Sequence, residues 1–158
     1  MFGKSIGQYL RFQKVILALI FVVWLLRLIL SLTGTPVSID KYVSVTVVVL
    51  IGVLYYGVAV HTSGFGSYKQ LYPLALFQSL FSQGLIALAI VYAIFTGHDN
   101  IYTVPEFSGG GDGKVWFHAF AHFVLAGLIV LPLISWAVSS LVMLITKAVA
   151  KKPEPRTA

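Results

Sequence analysis

A chain of 158 residues that is 58% hydrophobic and only 10% charged is too apolar for a soluble domain, where about a quarter of residues are charged. At about 20 apolar residues per crossing the length leaves room for four or five spans but no separate soluble domain, and the absence of cysteine excludes disulfides, thiolate metal sites and thiol redox chemistry. The formal charge of +6 reads as a topology signal rather than a nucleic-acid footprint, because most of the basic residues flank apolar runs near the two termini.

The first apolar run, Val15 to Leu32, follows a basic amphipathic lead-in containing Lys4, Arg11 and Lys14. It is longer than the apolar part of a signal peptide, contains Arg27 and lacks a small-residue cleavage pattern, so it is expected to be a retained helix that stops at Gly34 and Pro36. The second run, Tyr42 to Val60, is valine-rich. Its length still favours a spanning helix over a buried strand. Within it, Gly52 and Gly57 are expected to admit a close neighbour. The third run, Tyr72 to Phe95, opens with Pro73 near its first turn, where a missing N–H costs little. Gln78, Ser79, Ser82 and Gln83 give it a polar stripe that should face other helices, most often as hydrogen-bonding glue.

The segment from Gly97 to Lys114 has no periodicity, and its Gly109-Gly110-Gly111 run reads as a flexible connector. The fourth run, Val115 to Ile145, exceeds one bilayer thickness and is expected to tilt, protrude or bend, with Pro132 as the place for a bend. These runs predict an all-α integral membrane protein: one four-transmembrane-helix antiparallel (up-down) bundle over residues 1–150, with spans near 15–33, 42–61, 72–96 and 115–146. Residues 151–158 read as a disordered cytoplasmic tail. Eight basic residues fall on the side of the termini and only Lys41 and Lys114 on the other. The positive-inside rule therefore places both termini in the cytoplasm of a cell (inner) membrane, with the 97–114 loop outside.

The residues able to carry chemistry gather between His98 and His122. His118 and His122 are one helical turn apart, so their rings share a face, a spacing that suits two ligands to one metal ion. Loop closure is expected to bring His98 and Asp99 to the same depth, completing a set of His98, Asp99, His118 and His122 for zinc, copper or iron. Haem b is the other cofactor considered. Two histidines on one helix face cannot ligate one haem iron from opposite sides, so one of them would need His98 as its partner, His61 lying a membrane thickness away. The bland alternative is that these are interfacial histidines bonded to the loop or to headgroups.

Arg27 is the ionisable residue set inside a span, where it costs at least ~2.5 kcal/mol near a helix centre unless it faces the bundle or snorkels. Two readings stand: a counter-ion for Asp99, Glu106, Asp112 or an acidic group such as a haem propionate, and snorkelling to the headgroups. No hydrolase motif or paired-carboxylate helix is present. The sequence therefore favours a small accessory subunit of a membrane complex, redox or electron-transfer in kind. It would hold a metal, haem or pigment at the histidine cluster, pack against other membrane subunits or copies of itself, and have no catalytic activity of its own. The alternative is a structural or transport-related four-helix protein without a cofactor.

Overall fold

A computed structural model describes residues 1–150; the 151–158 tail lies outside the described residues. The described chain is all-helical, without strands, and four of its helical stretches are long and apolar enough to cross a membrane. The chain is thus a multi-pass membrane protein embedded in lipid. Its helices are α1 (Ile6–Leu32), α2 (Val37–Asp40), α3 (Val45–Thr62), α4 (Tyr68–Thr96) and a last rod in three parts: α5 (Trp116–Phe120), a π-helical segment (Ala121–Val130) and α6 (Leu131–Val149).

Both α1 and α4 start earlier than their apolar runs, and in each case a capping box explains it. Ser5 accepts from the backbone N–H of Gln8 at 3.3 Å while Gln8 accepts from that of Ser5 at 2.8 Å, so the basic lead-in is already helical. Ser67 and Gln70 form the equivalent box at the head of α4. Pro73 consequently lies in the second turn of α4 rather than its first, a correction to the expected helix start. At the far end α4 stops at Gly97, whose φ of +73° is the left-handed conformation that suits glycine. Thr35 and Pro36 then lead into the single turn of α2, between α1 and α3, where the sequence offered only a loop.

α4 is the central element: it packs against α1, α3, the π-helical segment, α5 and α6, whereas α1 and α6 do not meet. Its polar stripe faces inward, with Gln78, Ser79 and Ser82 fully buried. Gln78 donates to the carbonyl of Val49 in α3 at 2.8 Å. Two turns further along α3, Tyr56 donates to Gln13 of α1 at 3.1 Å. Hydrogen bonds of this kind are worth about 0.6 kcal/mol each between membrane helices, so the close packing around them matters more. Both glycines of α3 serve it: a Cβ on Gly52 would meet Ile16 at 2.8 Å, and one on Gly57 would meet Val142 at 2.6 Å and the Ser139 carbonyl at 2.7 Å.

The last rod changes its winding ahead of Pro132, the residue at which the sequence placed a bend. Pro132 sits at the start of α6, and the ten residues before it are wound as a π-helix. Proline cannot donate to the preceding turn and its ring displaces a carbonyl there; the wider winding upstream takes up that mismatch. Gly127 lies in this segment against α4, where a Cβ would come within 3.2 Å of the Gln83 Cβ.

Candidate metal centre

The 97–115 loop is built on Asn100. Its side chain is fully buried, donates to the carbonyl of Ala89 in α4 at 2.8 Å, and accepts from the backbone of Tyr102 at 3.0 Å. The backbone of Asn100 donates to Thr103 at 2.9 Å, and Gly113 packs so closely on the Thr103 backbone that no side chain would fit there. Lys114 then reaches back to Asp99 at 2.6 Å. The stretch read as a flexible connector is therefore tied down at both ends, and its glycines are structural: Gly109 and Gly110 adopt φ of +77° and +88°.

That scaffold fixes the position of Gly113, whose carbonyl lies 3.0 Å from Nδ1 of His118. A carbonyl only accepts, so Nδ1 of His118 carries the proton and, in the neutral ring, Nε2 keeps its lone pair. One turn on, Nδ1 of His122 donates to Oε1 of Gln83 across 2.7 Å, with the same consequence for its Nε2. The two rings lie 4.9 Å apart between centroids, and both residues are half-buried. Gln83 thus belongs to the polar stripe of α4 and also orients a histidine, a role that its spacing alone does not reveal. Fixing one ring nitrogen so that the other is presented is how protein second shells prepare metal-ligating histidines.

The other expected ligands are placed apart from this pair. His98 is exposed just beyond Gly97, and Asp99 is engaged by Lys114 and Thr103. Among the described residues no cluster of three or more histidine, cysteine or carboxylate side chains forms a metal-holding group. His61 lies in the last turn of α3.

Arg27 is buried, with 6% of its surface exposed, and its guanidinium lies 5.2 Å from the ring centre of Tyr102 and 5.0 Å from that of Phe107. Neither snorkelling nor pairing with Asp99 describes that position. The charge acting alongside it is Asp40, at the end of α2, a residue that carries no signal in the sequence beyond its acidity. Tyr102, in the loop above, is held neutral: burial raises its phenol to about 12, the Arg27 charge opposes that rise, and the Asp40 charge adds to it.

No family model, curated protein or solved structure matches this chain.

Proposed function

We propose that the protein is a small accessory subunit of a membrane complex that holds a transition-metal ion on the paired Nε2 atoms of His118 and His122. The reading rests on one observation: both histidines have Nδ1 anchored, by the Gly113 carbonyl and by Gln83, leaving both Nε2 lone pairs free on one helix face. Neutral imidazole suits zinc, copper or iron. A haem is less well served, because both rings come from one helix face and, among the described residues, no third histidine groups with them. Two ligands leave coordination positions open. His98 and Asp99 complete the set in this reading, Asp99 after leaving Lys114, or a group from a partner subunit does so.

In the same reading the four spans alternate up and down with both termini in the cytoplasm, which puts the histidine pair at the outer side of the membrane. The eight-to-two division of basic residues supports that orientation. Metal analysis of the detergent-purified protein tests the function: stoichiometric zinc, copper or iron should be present and should be lost from His118→Ala and His122→Ala. Protein that binds no metal after loading with each of these ions refutes it.

A further inference from the structure

Asp40 is 1% exposed and neither of its carboxylate oxygens has a hydrogen-bond partner. Among the described residues the ion pair within 4.0 Å is that of Lys114 and Asp99, so Asp40 is not in direct contact with a cation. Arg27 is buried beside it with its Nε unpartnered, and the hydroxyl of Tyr102 and the indole N–H of Trp24, one turn from Arg27 on α1, are buried and unpartnered too. A polar group left unpaired in an apolar interior is costly, and ionisable side chains at membrane depth mark functional sites by default. These four groups come from three separate parts of the chain: α1, the short α2 and the 97–115 loop.

We propose that Asp40 is a proton-binding site whose charge holds Arg27 inside the bundle, so that proton uptake releases the 97–115 loop. With Asp40 charged, the buried guanidinium has a counter-charge and stays beneath the rings of Tyr102 and Phe107. With Asp40 neutral, Arg27 is an uncompensated buried cation. The least costly relief is for its flexible side chain to turn outward toward headgroups and water, which displaces the two aromatic rings covering it. The proton goes to a carboxylate oxygen of Asp40 and no other bond changes.

The charged and titratable groups around Asp40 leave Arg27 as its partner. Arg27 on α1 is near enough for its charge to act on Asp40, and the Asp40 charge in turn acts on Tyr102 in the loop. The adjacent Lys41 is turned to the ring of Tyr42 at 5.3 Å, and Lys114 is held by Asp99. The site is separate from the histidine pair, whose anchors are Gly113 and Gln83.

Hydrogen exchange of the full-length protein in lipid nanodiscs, followed on loop peptides covering residues 100–110 and corrected for intrinsic pH dependence, tests the latch. At neutral pH Asp40→Asn should exchange roughly tenfold or more faster than the unaltered protein, a factor equivalent to about 1.4 kcal/mol. The unaltered protein should approach that rate as pH falls, and Asp40→Asn should not respond further. Adding Arg27→Met to Asp40→Asn removes the orphan charge and should restore slow, pH-independent exchange. If Asp40→Asn does not fold, the double variant still decides, since pH-dependent loop exchange in it contradicts the proposal. Equal exchange of Asp40→Asn and the unaltered protein at neutral pH also overturns it.

Discussion

Across the contact between α4 and the π-helical segment, Nδ1 of His122 donates to the side-chain oxygen of Gln83 at 2.7 Å, so a histidine of the last rod is oriented by the central helix. Removing that acceptor should be felt twice. Gln83→Leu leaves the half-buried imidazole N–H without its partner, which should lower stability in detergent by about 1–3 kcal/mol. It should also weaken metal binding by roughly 10–100-fold, the usual effect of losing such a support. Gln83→Glu retains an acceptor and should bind metal better than Gln83→Leu. Thermal unfolding and metal titration of the two variants check both effects.

Two glycines of the bundle make opposite predictions. Gly57 lies where α3 meets α6, and an added Cβ would press on Val142 and the Ser139 carbonyl at 2.6 and 2.7 Å. Backbone cannot step aside as a long side chain can, so Gly57→Ala should destabilise by about 1–3 kcal/mol. At Gly84 the nearest atom to an added Cβ is on Phe123 at 3.6 Å, ordinary contact distance. Gly84→Ala should therefore be neutral or stabilising by up to about 1 kcal/mol through helix propensity. Unfolding in mixed detergent compares them directly.

The spans, the inward polar stripe and the glycine contacts of α3 were legible because each depends on local spacing and on what lipid forbids. The pairing of His118 with His122 was legible for the same reason, since one helical turn separates them. What escaped depends on contacts between distant segments. Asp40 becomes notable only when α2 folds against α1 beside Arg27, and Asn100 only when its side chain reaches the Ala89 carbonyl. Nothing in residues 121–130 announces a π-helix, because that winding answers Pro132 beyond its end and the approach of α4 at Gly127. The expected convergence of His98 and Asp99 rested on loop closure alone, and loop closure sets depth without setting direction.

Tyr102 gives the fold an alkaline limit. Its phenol, raised from 10.0 to about 12 mainly by burial, is harder to ionise in the folded protein than in the unfolded chain. A raised value means that the contribution is intact below the unfolded value of 10.0 and is lost as pH rises through the folded value of about 12. The unfolding temperature should fall across that window, and less so in Tyr102→Phe, which has no proton to lose. Circular dichroism in detergent between these limits is the measurement.

Orientation is tested by reporter fusions at residues 37, 66 and 105. They should report outside, inside and outside in turn, because the basic residues weight the termini and the Lys69 loop toward the cytoplasm. Any other order removes the histidine pair from the outer side of the membrane.

The most direct test of the account is the pH dependence of metal binding to the purified protein, compared with His118→Ala and His122→Ala. Ligation needs the lone pair of each Nε2, for which protons compete, so binding should be strong at neutral pH and weaken in acid. Each single substitution should lower affinity at least tenfold while leaving the helical content unchanged. Metal content that is absent throughout, or that is indifferent both to pH and to the loss of either histidine, would contradict the assignment of His118 and His122 as ligands.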